Sequence, residues 1–170
     1  MKFVLKEVGY TAIEEIQQLA YRIWPATFSE ILSQQQIDYM LDMMYSTASL
    51  EKQMKEGIVF LIAFEGTVPV GFVSYELNYK GRTKTKIHKL YLLPEVQGKG
   101  YGRNLIEQVS KIARKNKQIS LILNVNRFNQ AIHFYLKTGF QQVAEESIAI
   151  GNGFLMEDIV MELELSNLAT

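Results

Sequence analysis

The apolar positions of the chain change period several times, and each change marks an element. Residues 2–8, KFVLKEV, alternate as a short strand; Ile13, Ile16, Leu19, Ala20 and Ile23 then recur at the three- and four-residue spacing of one helix face. Thr11 with Glu14 has the form of a capping box for that helix, and Pro25 predicts its end. Residues 25–32, PATFSEIL, are expected as a loop carrying exposed aromatics. Ser33 predicts the cap of a second helix, SQQQIDYMLDMMY, with Ile37, Met40, Leu41 and Met44 on one face. Two β-branched and aromatic runs, IVFLIAFEG and VPVGFVSYELNY, flank Gly66 and Thr67 as a hairpin, and TKTKIHKLYLLP follows as a strand.

The helical period returns at Leu105, Ile106, Val109, Ile112 and Ala113, and this helix ends in the basic run RKNK. ISLILNVN reads as a buried strand, NQAIHFYLKTG as a short helix ended by Gly139, and FQQVAEESIAIG and FLMEDIVMELEL as two last strands. The order β, α, α, β, β, β, α, β, α, β, β predicts an α/β (α+β) protein with a mostly antiparallel sheet and one parallel crossover around residues 86–125. No repeat or linker interrupts it, so residues 1–170 are expected to form a single domain.

Composition narrows the function classes. The 170 residues are 48% hydrophobic and 21% charged, as in globular proteins, and no apolar run approaches the roughly 18 residues of a membrane span. Lys6 and Glu7 break the N-terminal apolar run, so no secretory leader is read and a cytoplasmic protein without a membrane partner is expected. The chain has no cysteine, which removes disulfides, thiolate metal sites and cysteine nucleophiles; no metal is expected. Eighteen basic residues balance eighteen acidic ones, so no nucleic-acid partner is expected.

The chemistry concentrates in PEVQGKGYGRNL, residues 94–105, where Gly98, Gly100 and Gly102 alternate between a strand and a helix start. Glycines there let backbone N–H groups approach a guest closely, and the helix start favours an anion, most often phosphate. A P-loop does not fit, because Gly98-Lys99 is followed by Gly100 and Leu93 stands where the first glycine belongs. A dinucleotide fingerprint does not fit either: Arg103 stands where its third glycine belongs, and the later strand offers Asn124 in place of an acidic residue.

A third pattern does fit. Gln97, Gly100 and Gly102 match Gln/Arg-x-x-Gly-x-Gly/Ala, HKLYLLP precedes the loop, and NQAIHFYLKTGF follows it at the expected distance. Together these resemble the pyrophosphate loop, central strand and late helix of the GNAT N-acetyltransferase superfamily. The resemblance extends over essentially the whole chain, most weakly before residue 58, and implies a GNAT-like sheet flanked by helices, with a splayed central strand.

The resemblance implies acetyl-CoA as the donor, its pyrophosphate held by backbone N–H groups over Gln97, Gly98, Lys99, Gly100, Tyr101 and Gly102. Lys99 and Arg103 either pair with phosphate or stand solvated. The backbone of Leu90, Tyr91 and Leu92 would pair with the pantetheine arm like an added strand, and an amide near Leu92 would stabilise the oxyanion. Tyr135 matches the family's acid, which protonates the leaving thiolate; its alternative role is core packing beside Ala131, Ile132 and Leu136, and Tyr91 is a less well placed competitor. Asn129 would bond the pantetheine amide, cap its helix, or both. His88 shares a strand face with Leu90 and is the candidate base for the amine, a role that water or a carboxylate fills in other members. His133 is expected to be structural.

The acceptor is the least determined element. Trp24 and Phe28 are candidates for lining an amine pocket or for a helix-flanking core, and Glu157 or Asp158 for attracting the amine's charge. TFSEILSQQQIDYMLDMMYS also resembles a branch close to bacterial polyamine acetyltransferases, so a polyamine or other small amine is the leading acceptor, with peptides and aminoglycosides open. Many relatives pair, so a homodimer is compatible with the resemblance. The competing class is a non-catalytic acyl-CoA sensor, which would keep the loop without needing Tyr135.

Overall fold

The computed structural model describes residues 1–166, and its contacts gather into two compact units. The first comprises Met1–Glu76 with Lys89–Leu105, and the second Leu77–His88 with the chain from Ile106 onwards. Strand β4 (Lys84–Leu92) and helix α4 (Tyr101–Lys115) contribute residues to both.

In the first unit, β1 (Phe3–Val8), β2 (Val59–Glu65) and β3 (Val68–Glu76) pair antiparallel, and α1 (Ile13–Phe28), α2 (Gln34–Tyr45) and α3 (Thr47–Lys55) supply the helices. The apolar periodicity that defines α1 and α2 is the one they bury: Ile16, Ile23 and Ile37 are at most 1% exposed. Each such side chain contributes roughly 1.5–3 kcal/mol relative to an exposed one. Ser33 caps α2 as expected, its Oγ accepting from Gln36 N at 3.1 Å.

Three expectations are corrected in this unit. The capping box at Thr11 does not form; a 3-10 turn over Tyr10–Ala12 leads into α1 with no side-chain cap, and Glu14 and Glu15 meet the helix dipole instead. Pro25 does not end α1, which runs on to Phe28. The proline removes one bond to Tyr21 O at an exposed position, where solvent can satisfy the carbonyl, while burial of Trp24 and Phe28 holds the last turn on the core. Phe28 is therefore not an exposed loop residue. Finally, α3 is a helix the apolar pattern did not announce; Ser46 starts it by accepting from Ser49 N at 3.2 Å, and only Leu50 buries.

The second unit contains the first half of β4, β5 (Ser120–Asn126), α5 (Ala131–Lys137), β6 (Gln141–Gly151) and β7 (Phe154–Glu164). β4 and β5 pair in parallel from Lys84↔Ser120 to Ile87↔Leu123, the expected crossover, and β7 pairs antiparallel with both β5 and β6. The strand order is β1-β2-β3-β4-β5-β7-β6, an open, mostly antiparallel mixed sheet with β4 in its centre. No helix among the described residues is long and apolar enough to cross a membrane.

Buried charge is handled differently in the two units. In the second, Lys86 donates to Asn124 Oδ1, and Asn124 Nδ2 in turn donates to Glu146 at 2.8 Å and Asp158 at 3.2 Å. In the first, Lys89 is 7% exposed with its ammonium over the rings of Tyr45 (5.5 Å) and Phe60 (5.6 Å), and it donates to Gln53 Oε1 at 2.6 Å. Cation–π contact and one amide replace only part of the lost hydration, so burial pushes its pKa down to about 8.

This depression has a sign. Between about pH 8 and the unfolded lysine value near 10.4, the unfolded chain binds the proton and the folded one does not, so stability rises with pH across that window. Urea midpoints of wild type and Lys89→Met, measured at pH 7.5 and pH 9.5, should show a pH-dependent gain in wild type, on the order of 3 kcal/mol at most over the full window, that is missing from the variant.

Candidate active site

Strand β4 ends where the loop begins, and that junction is tightly built. Leu93 N donates to Val70 O at 2.8 Å, and a Cβ on Gly71 would lie 2.4 Å from Tyr91 O, so only glycine lets β3 approach this closely. Gln97 Nε2 donates to Leu92 O at 3.2 Å, which ties the loop back to the strand it leaves. The motif glutamine is thus a brace for the backbone. Its signal was present in the motif, whereas nothing in the sequence marked Gly71.

Between Gln97 and α4 the backbone takes positive φ at Gly98 (83°) and again at Gly100 (83°). A Cβ at either would meet nothing within 4 Å, so no protein packing requires these glycines. What requires them is the left-handed backbone, which costs an ordinary residue roughly 1–2 kcal/mol, and free space on the side where a guest would come. The first intrahelical bond of α4 runs from Asn104 N to Gly100 O at 3.1 Å, leaving the N–H groups of Tyr101, Gly102 and Arg103 without helical partners. Left-handed glycines feeding a helix start in this way make an anion nest.

The side chains of the loop have their own partners. Lys99 Nζ pairs with Glu65 at 3.0 Å, the Tyr101 hydroxyl donates to the same carboxylate, and Phe3 stacks on the Tyr101 ring at 4.2 Å. These hydrogen bonds hold the Glu65 carboxyl below the usual carboxylate range and push the Tyr101 hydroxyl up. Arg103 is exposed. Glu65 was missed by sequence reasoning because nothing local to it signals the loop.

Leu90, Tyr91 and Leu92 are half-buried, and Leu90 and Leu92 lie on the face opposite Tyr91. The Tyr91 ring packs with Trp24 (5.8 Å), Phe28 (6.4 Å) and Phe72 (5.8 Å). Trp24 and Phe28 are 1% and 5% exposed, and Trp24 Nε1 donates to the Tyr45 hydroxyl at 3.2 Å, so both are core residues in this structure.

In the second unit Tyr135 is 7% exposed and edge-on to Phe134 and Phe140. Burial alone pushes its pKa far up, and its hydroxyl has no hydrogen-bond partner among the described residues. Asn129 Oδ1 accepts from Ala131 N at 2.9 Å in an Asx turn one residue ahead of Gln130, the N-cap of α5, which carries no side-chain cap. His88 is half-buried with its ring edge-on to Tyr79 at 5.7 Å, and His133 is exposed. Asp158 is 4% exposed and its carboxyl is raised, first by burial, whereas Glu157 faces solvent.

Comparison with known proteins meets the same elements. The chain is 27% identical over 163 residues to a spermidine N(1)-acetyltransferase of Thermoplasma acidophilum, covering 92% of this chain and 97% of that one. The crystal structure of PaiA N-acetyltransferase from Thermoplasma acidophilum, in complex with coenzyme A, superposes with a TM-score of 0.80 at 25% identity, covering 96% and 99% of the two chains. A GNAT structure from Rhodopseudomonas palustris shares the fold with a TM-score of 0.81 at 21% identity, covering 97% of each chain. The signature of the acetyltransferase (GNAT) domain matches residues 28–165, spanning β2, β3, β4, the glycine loop and α5, and the chain accordingly belongs to the GNAT acetyltransferase family.

Proposed function

We propose that residues 1–170 act as one acetyltransferase domain that moves the acetyl group of acetyl-CoA to a primary amine, with a polyamine as the leading acceptor and the cytoplasm as its place of action. The observation that carries this reading is the loop geometry: two left-handed glycines with open space beside them, leading into N–H groups at the start of α4 that have no intrahelical partner. A pyrophosphate fits such a donor set because it presents many acceptor oxygens and negative charge. The coenzyme supplies the activated thioester; the chain binds it, orients it and manages protons. The relatives' names, one of them a spermidine acetyltransferase, support a cationic small-molecule acceptor.

Gln97 to Gly102 would hold the pyrophosphate through backbone N–H groups, with Gln97 bracing the turn and Arg103 at its solvent side. Leu90, Tyr91 and Leu92 would offer their backbone to the pantetheine arm; the parallel ladder of β4 ends at Ile87, before these residues. Trp24 and Phe28 enter as the packing behind Tyr91 that fixes the acceptor side of that strand. Tyr135 would donate to the leaving thiolate, Asn129 would bond the arm's amide from the turn that leads into α5, and His88 would take the proton from the amine.

Gly100→Val forces a β-branched residue into φ of +83° and fills the open side of the nest. Calorimetry should show acetyl-CoA affinity reduced about tenfold or more with the melting temperature near wild type, since strain of roughly 1–2 kcal/mol falls on an exposed loop.

Tyr135→Phe retains the ring packing and removes only the hydroxyl. With spermidine as acceptor and free thiol release as readout, kcat should fall by about 10²-fold while the coenzyme still binds. Coenzyme binding with no turnover on any amine in wild type would instead establish the sensor. For the base, kcat/KM of wild type and His88→Ala should be compared across pH, and the variant's profile should differ from wild type's on the acidic side; an unchanged profile assigns that proton to solvent or a carboxylate.

A further inference from the structure

Lys99 stands in the middle of the glycine loop, yet its ammonium is already engaged, 3.0 Å and 3.4 Å from the two oxygens of Glu65. Tyr101 at the head of α4 donates to the same carboxylate, and Phe3, the register partner of Glu65 across β1 and β2, stacks on the Tyr101 ring. The four side chains form a clasp between the ends of two strands and the loop. The carboxylate has the same sign of charge as the guest the loop is shaped for. Its side chain is 14% exposed and is held from two sides, whereas that of Lys99 is 48% exposed and sits on a flexible stem.

We propose that Glu65 sets the affinity for the coenzyme: it occupies Lys99 in the free protein as an internal substitute for phosphate, and Lys99 passes from the carboxylate to the guest's phosphate on binding. No bond is made or broken in this exchange; one ion pair replaces another. Tyr101 and Phe3 keep Glu65 in place throughout, so the loop does not collapse when Lys99 leaves. Glu65 is thereby a positioning residue for the donor site, with a cost built into binding that a neutral residue at 65 would not impose. The inference rests on the coenzyme reading of the loop.

Glu65→Gln retains an acceptor for Tyr101 and removes the charge. In low salt, calorimetry should show acetyl-CoA bound about threefold or more tighter than by wild type, fading near about 0.5 M salt as screening grows. The gain should appear in KM for acetyl-CoA more than in kcat, be absent with S-acetylpantetheine, which carries no phosphate, and shrink in a Lys99→Met background. Lys99→Met alone should weaken acetyl-CoA binding. If Glu65→Gln melts like wild type yet binds acetyl-CoA equally or more weakly, the clasp is a fixed support and the proposal is overturned. Wild type that fails to bind acetyl-CoA at all would remove the coenzyme reading and the proposal with it.

Discussion

The end of β4 is where the backbone is most constrained. Within about ten residues the chain must leave an extended strand, turn, and enter a helix whose first N–H groups have no intrahelical partner. Ordinary residues cannot take the left-handed backbone at positions 98 and 100 without strain, and their side chains would occupy the open space beside the turn. The strand end is fixed on the protein side by Gly71, whose missing Cβ lets β3 approach the Tyr91 carbonyl, and by bonds from Leu93 and Gln97. Rigid support behind and free donors in front are what a preorganised anion site requires, because none of the ordering is then left to the moment of binding.

Desolvation shifts two of the buried titratable groups, Lys89 and Tyr135, in opposite chemical directions from one cause. Burial disfavours whichever form is charged, so it moves Lys89 towards the neutral amine and holds Tyr135 as the neutral phenol. Lys89 has the rings of Tyr45 and Phe60 and the Gln53 amide to moderate the penalty, while Tyr135 packs edge-on against Phe134 and Phe140. A lysine held without a carboxylate works against stability below about pH 8, and the packing of Trp24, Tyr45, Phe60 and Phe72, each fully buried, offsets it.

Much of this was legible in the sequence because it depends on local rules. The strand alternation, the helical period of α4, the Ser33 cap, the glycines of the loop and the stop at Gly139 each have a short-range physical cause, and each appears where the pattern puts it. The failures share another cause. Pro25 should end a helix by its own chemistry, but burial of Trp24 and Phe28 outweighs one lost bond, and the capping box at Thr11 yields to a 3-10 turn. Glu65 and Gly71 carry no local signal at all, since each matters through a residue more than fifteen positions away that only the folded sheet brings close. Trp24 and Phe28 look alike from sequence whether they line a pocket or fill a core; only their burial distinguishes the two.

The raised pKa of Tyr135 limits what an acid at that position can do. A leaving thiol ionises near pKa 8.5, well below a buried phenol, so complete proton transfer from Tyr135 would run uphill. A hydrogen bond from a neutral donor to a developing thiolate needs no such transfer, and it strengthens as charge accumulates in a water-poor site. The same burial that makes Tyr135 a poor acid keeps it protonated throughout the range in which an amine nucleophile is free to react. As the proposed partner of the leaving thiolate, Tyr135 would therefore act electrostatically, while the carbon–sulfur bond breaks, and the thiolate would take its final proton from solvent.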